Sequence, residues 1–204
     1  MGRYLGPKHK LCRKFGEKLC DSPKCPVIKR PYRPGQHGPK RTPRISEYGM
    51  QLREKQKASR LYRILEKQFH NYYNKAKRQS GDTGENLVRL LEIRLDNVVY
   101  RFGFAKTRDS ARQFINHGHV TVNDKKLDIP SYHTKIGDVI AIKKSSLDKK
   151  IFKEISKSLN KKDIPAWLAL EDEKTLKGRV GGIPAKEDLA QGFDTSLIIE
   201  FYSR

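Results

Sequence analysis

RLDNVVYRFGFAKTRDSARQFINHGHVTVNDKKLDIPSYHTKIGDVIAI, residues 94–142, changes its hydrophobic period halfway along, and that change decides the fold. Around its start Leu91, Leu95, Val98, Val99 and Phe102 recur at intervals of three and four, which lines one face of a helix that Gly103 ends. Thr107 stands where a cap for a second helix belongs. In that helix Ala111, Phe114 and Ile115 face inward, while Arg108, Arg112 and Asn116 form a polar stripe. Gly118 stops it, and from His119 to Val122 the period falls to two. Asn123-Asp124 suit the positive φ of a tight hairpin turn, Leu127 to Ile129 supply the return strand, and Gly137-Asp138 turn the chain again before the strand Val139 to Ile142. The expectation is two short helices on a small sheet, with cations and the HGH of residues 117–119 at the corner where helix becomes strand.

Working outward, residues 1–45 are rich in Lys, Arg, Pro and Gly and would bury too little apolar surface to fold alone. Something else must order them. His9 and Cys12 are separated by two residues and Cys20 and Cys25 by four, with seven between the pairs. That spacing suits a tetrahedral zinc held by three thiolates and an imidazole. An iron–sulfur cluster fits less well, since it usually takes four cysteines. The alternative is three reduced cysteines beside a histidine that touches nucleic acid. In Tyr32 to Arg44, Pro34-Gly35 and Gly38-Pro39 impose turns that set Gln36 and His37 between cations.

From Ser46, a plausible cap, a basic helix follows, with Tyr48 and Leu52 turned to a core. Leu61, Leu65, Phe69 and Tyr72 continue an apolar stripe through a second helix, which makes Tyr72 and Tyr73 core residues rather than base-stacking platforms. Gly81 and Gly84 break the run, and Asn86 opens the helix that leads into residues 94–142. Beyond them, Ser146 precedes one amphipathic helix carrying Leu147, Ile151, Ile155 and Leu159. Trp167–Leu170 and Leu176–Ile183 read as strands about an acidic turn, and the terminal SLIIEFYSR is apolar, β-prone and expected to dock back on the protein.

The chain carries 44 Lys plus Arg against 23 Asp plus Glu, a net charge of +21 that gathers polyanions. Residues 1–60 hold 17 basic and four acidic side chains, a net of +13, and are the electrostatic anchor. No apolar run approaches the roughly 20 residues of a bilayer span, and MGRYLGPKHK lacks the apolar core of a signal peptide. A soluble intracellular protein is expected, with no membrane partner and no small-molecule substrate. Three cysteines argue against a secreted disulfide framework.

RLDNVVYRFGFA, the ARQ of the second helix, HGHVTVN and the glycine turn before a hydrophobic strand together closely resemble the RNA-binding module called the S-four domain. With RYLGPK, YRPGQHG, SEYGMQLREKQK and LIIEFYSR, the likeness extends over almost the whole chain to the bacterial-type ribosomal S-four family. The resemblance implies a primary binder of small-subunit ribosomal RNA that nucleates assembly of the 5′ domain. It also implies a place beside proteins S-five and S-three where messenger RNA enters, a part in decoding fidelity, and a ribosomal location in the cytoplasm or an organelle. Some family members hold zinc at the N-terminus and others do not; here His9 takes the first ligand position.

The fold class expected is α+β. Residues 1–45 form a basic, metal-ordered segment, residues 46–93 a helical domain onto which 186–204 dock, and residues 94–185 an α/β domain with two helices on a small, mainly antiparallel sheet, its RNA-binding module spanning 94–160. The RNA contacts expected in the first segment are Arg3, Lys8, Lys10, Arg13, Lys14, Arg30, Arg33, Gln36, His37, Lys40, Arg41 and Arg44. Arg53, Lys55, Lys57 and Arg60 follow on the basic helix. Arg94, Lys106, Arg108, Arg112, Gln113, Asn116, His117, His119, Asn123 and Lys125 belong to the module. An RNA-modifying enzyme or rescue factor carrying an S-four domain is the first alternative, but no stretch remains for a catalytic domain. Asp96, on the module's first helix, and Asp109, near a helix start, read as cap or dipole charges, and His117 and His119 lack an acid partner or nucleophile. A zinc-containing DNA-binding protein is the second, and the basic helices lack base-reading spacing.

Overall fold

The computed structural model describes residues 4–20, 22–39, 44–159, 164–185 and 192–204, so the RNA contacts expected at Arg3, Lys40 and Arg41 lie outside the described residues. The chain forms two compact units, one of residues 1–84 with 191–204 and one of residues 85–190. Among the described residues no helix is long and apolar enough to cross a membrane.

The first unit holds α1 (Lys8–Phe15), α2 (Glu47–Leu61), α3 (Glu66–Lys77) and α9 (Thr195–Ser203). Ser46 caps α2, its hydroxyl accepting the Gly49 N–H at 3.2 Å. The buried face of α2 is Gln51, Lys55, Ala58 and Ser59 rather than Tyr48 and Leu52; Tyr48 is exposed and lays its ring against Phe201 at 5.6 Å. Phe69, Tyr72 and Tyr73 are buried as the stripe requires, whereas Leu65 stays exposed at the start of α3.

The terminal segment is a helix and not a strand. Asp194 caps it by accepting the Ser196 N–H at 2.8 Å, and it packs along α2 with Ile198 buried. Among the described residues this unit offers no sheet, so a lone terminal strand would leave its backbone unpaired, while a helix satisfies its own. Tyr202 donates to Glu66 at 2.7 Å and stacks on Tyr73 at 4.7 Å, and Gln51 donates to Glu200 at 3.0 Å.

The second unit contains all but the first two residues of α4 (Thr83–Glu92), with α5 (Leu95–Arg101), α6 (Arg108–Asn116), α7 (Lys144–Leu147) and α8 (Lys150–Ser158). Its antiparallel sheet has the order β2-β1-β3-β5-β4, with β1 at Val120–Val122, β2 at Lys125–Lys126, β3 at Val139–Ile142, β4 at Leu168–Asp172 and β5 at Lys177–Val180. Helix α4 begins at Thr83, three residues before the expected Asn86. The helix expected through Leu91 to Phe102 is two, because residues 93–96 bond to residues 130–134. The Leu95 N–H donates to the Tyr132 carbonyl at 2.8 Å, Asp96 N–H to Pro130 at 3.1 Å, and Thr134 N–H to Ile93 at 2.9 Å.

The same pairing shortens the hairpin. Asn123 and Asp124 take positive φ of 50° and 63°, as the tight turn demands, but the return strand is Lys125–Lys126 and not Leu127 to Ile129. Residues 130 and 132 have given their carbonyls to α5 instead. The helix expected over residues 147–159 is likewise two, and its inward side chains are Phe152 and Ile155, with Ile151 exposed.

Helices α5 and α6 pack on the sheet through Val98, Phe102, Ala111 and Ile115 against Val120, Ile140 and Val180. Phe102 also explains Gly178, where a Cβ would stand 2.4 Å from its ring. Gly178→Ala is expected to destabilise the protein by about 1–3 kcal/mol, the range for overpacking a tight core. A urea midpoint unchanged from the parent would disprove that fit.

Candidate metal centre and nucleic-acid interface

In the first unit, the three-residue spacing of His9 and Cys12 sets both on one face of α1. Gly16, at φ 71°, turns the chain out of that helix, and the following loop returns Cys20 and Cys25 to it. All three cysteines are buried and free, packed with Val27. The His9, Cys12, Cys20 and Cys25 ligand atoms lie within 4.8 Å of one another, and Cys20 Sγ is 3.6 Å from His9 Nδ1. Four-coordinate tetrahedral bonds of about 2.3 Å to sulfur and 2.0–2.1 Å to nitrogen set neighbouring ligand atoms roughly 3.6–3.8 Å apart, so the cluster fits one small ion.

The electrostatics agree. Burial pushes the Cys12 thiol up to about 12. Burial also opposes ionisation of Cys25, but hydrogen bonds from the Val27 N–H, His9 and the other two thiols outweigh it and hold Cys25 down to about 7. A divalent cation at this cluster would favour the Cys12 thiolate that burial opposes.

Many cations expected on the nucleic acid in this unit are anchored within the protein. Lys55 and Lys57 are buried; Lys55 reaches Glu66 at 2.7 Å and lies 4.4 Å from the centre of the Phe201 ring, and Lys57 reaches Glu17 at 2.6 Å. Arg13 bonds the carbonyls of Tyr32 and Arg33, Lys14 bonds Gln56 at 2.9 Å, Arg53 bonds the Phe15 carbonyl, and Arg60 lies over Tyr4. Lys8, Lys10, Arg30, Arg33, Gln36, His37 and Arg44 are exposed. Gln36 and His37 project from a turn in which Gly38 N–H donates to Gly35 at 3.1 Å, and a Cβ on Gly38 would stand 1.9 Å from the Arg33 carbonyl oxygen.

In the second unit the polar stripe divides. Arg94 is 2% exposed and grips Asp96 through two bonds of 3.0 and 2.7 Å; Arg112, 4% exposed, stands 3.9 Å from the same carboxylate. Both arginines, expected at the surface, are interior, and Asp96 in the first turn of α5 is the buried carboxylate they face. Asn97 donates to Glu92 at 2.6 Å, Arg101 grips Glu92 at 2.9 and 2.7 Å, and Arg108 donates to Asn97 at 2.8 Å while lying over Tyr100. The RLDN motif thus locks the join between α4, α5 and α6. Asn123 is exposed at its turn but tied to the protein, donating to Asp138 at 2.8 Å and accepting from Val139 at 2.9 Å.

Lys106, Gln113, Asn116, His117 and Lys125 remain exposed. His119 is half-buried, its ring edge-on to Phe152 and its Nδ1 3.0 Å from the Ser146 hydroxyl. Burial, then Lys149, His117 and Lys143, hold its pKa below the usual histidine value. Lys149 Nζ is 3.5 Å from His119 Nε2, and the Lys126 side chain covers Gly118. Lys126, Lys143 and Lys149 are thus gathered at this corner although the sequence reading singled out none of them. Lys126 ends β2 and Lys143 follows β3, whereas Lys149 stands at the start of α8.

Residues 3–92 match the family described as Ribosomal protein S4/S9 N-terminal domain, and residues 93–140 match the S4 domain. The chain is 54% identical to the small ribosomal subunit protein uS4 of Heliobacterium modesticaldum, 49% to that of Pelotomaculum thermopropionicum and 47% to that of Thermus thermophilus, each over the full length of both chains. From its first helix to its last, the chain belongs to the small ribosomal subunit protein uS4 family, which is one of ribosomal structural proteins and not of enzymes.

Proposed function

We propose that this protein is a primary binder of small-subunit ribosomal RNA that helps the 5′ domain assemble. Its neighbours on the bacterial cytoplasmic ribosome are proteins S-five and S-three, and it borders the channel through which messenger RNA enters, where it contributes to fidelity. The observation that carries the reading is the HGH corner. His117, His119, Lys126, Lys143 and Lys149 gather there around a helix-to-strand turn with phosphate-seeking chemistry. The exposed Lys10, Arg30, Arg33 and Arg44 of the first unit add a second anchor. Three thiolates and an imidazole in a closed set favour zinc over other available ions, and the ion orders residues 4–30 without taking part in chemistry.

Affinity for a 5′-domain RNA fragment is expected to fall steeply with salt. Five or six neutralised phosphates give a log–log slope of about −4 or steeper. Fluorescence anisotropy across a salt series measures it, and a slope shallower than about −1 would rule out a phosphate-anchored interface.

A further inference from the structure

Between α1, the loop at Arg33-Pro34 and the start of α2 lies a cleft of about 700 Å³. Its volume falls within the usual range for small-ligand sites. Leu11, Phe15, Pro34, Ile45 and Leu52 give it an apolar interior, and Tyr4 stands in its wall. Lys10, Lys14, Arg33, Arg44 and Arg53 border it, and no carboxylate does among the described residues. An adjoining cleft shares Arg44, Ile45, Ser46 and Arg53 but is lined by Glu17, Glu47 and Glu54. An anion is therefore drawn to one side of the Arg44–Arg53 pair and repelled from the other.

Apolar walls beneath a rim whose charged residues are all cationic suit a flat aromatic base joined to a phosphate. We propose that this cleft takes a single unpaired nucleotide of the bound RNA, its base between Leu11, Ile45 and the Tyr4 ring, its phosphates on Lys10, Arg33 and Arg44. A base inside a duplex is stacked and out of reach, so the nucleotide comes from a bulge, loop or junction. Several wall positions are held rather than mobile. Arg60 lies over the Tyr4 ring at 4.4 Å, Lys14 is tied to Gln56 at 2.9 Å, and Arg53 is bonded to the Phe15 carbonyl. The site is consequently built before RNA arrives. This inference rests on the RNA-binding reading above and adds a base-holding subsite to it.

Leu11→Trp in the full-length protein fills the cleft without altering a charge. Its affinity for the 5′-domain RNA fragment is expected to drop roughly 5- to 150-fold, the fold-change of one lost base stack, with the salt slope unchanged. Ultraviolet cross-linking of the unaltered complex, read by mass spectrometry, is expected to find a nucleotide on the peptide holding Tyr4 or on that holding Phe15, and this needs no variant to fold. If the parent protein binds the fragment with a steep salt slope, but Leu11→Trp binds equally well and no cross-link maps to the cleft, the subsite is overturned while RNA binding stands. A parent protein that does not bind the fragment overturns both.

Discussion

Asp96→Ala is expected to cost the second unit about 3–5 kcal/mol, the loss seen when one partner of a buried ion pair is removed. Arg94 and Arg112 are both nearly sealed from solvent and both turn to this carboxylate, Arg94 by two bonds. Taking it away removes the carboxylate that both buried guanidinium groups face. Because whole domains are stable by only about 5–15 kcal/mol, the variant is expected to melt at a markedly lower temperature. Asp96→Asn keeps the shape but not the charge and is expected to fall between. A loss below about 1 kcal/mol for Asp96→Ala would mean that solvent reaches the pair. The same geometry makes Arg112→Ala a folding defect rather than a clean test of RNA contact, whereas Lys106 and Lys125 are exposed enough to serve as one.

Removing the metal is expected to have an effect confined to the first unit. Structural zinc in small modules carries apparent folding free energies of about 10–16 kcal/mol, and residues 4–30 have little apolar core beyond Phe15, Val27 and the cysteines themselves. Purified protein is expected to contain about one equivalent of zinc, as one tetrahedral site requires. Cys25→Ser, or a strong chelator, is expected to release it and abolish amide-exchange protection in α1, with protection in α5, α6 and the sheet unchanged. Retention is expected to fail on acidification, since each thiolate must then take back a proton. Metal-free protein that keeps α1 protected, with thiols reacting at once with a thiol reagent, would show that the segment orders itself.

The order of elements around HGH was legible because hydrophobic period is a local signal: Ala111, Phe114 and Ile115 are buried together, and the Asn123-Asp124 turn has the backbone its residues imply. The gathering of His9, Cys12, Cys20 and Cys25 was legible from local spacing too, since two short intervals sufficed. What the sequence concealed was long-range. Leu91, Leu95 and Val98 keep helical spacing straight across the break at residues 93–94, which hydrogen bonds to residues 130–134 create. Nothing local marks Arg94 and Arg112 as interior, because the carboxylate that tolerates their burial becomes decisive only when α5 and α6 pack. SLIIEFYSR has strand-like composition, yet the deciding residue was Asp194 just ahead of it, a helix cap the composition argument overlooked.

The first unit is completed by the last residues of the chain, and this bears on the order in which the protein is made. A chain emerging from synthesis supplies α1, α2 and α3 early, with the Lys55–Glu66 pair already among them, but the contacts that Gln51, Lys55 and Glu66 make to Glu200, Phe201 and Tyr202 wait for α9. Residues 85–190 come between. At about 5–20 residues per second they delay that closure by roughly 5–20 s, during which the second unit already has every strand it needs. A nascent chain halted before α9 thus carries a finished sheet unit joined to a helical unit whose surface beneath Ile198, Phe201 and Tyr202 is still open to solvent.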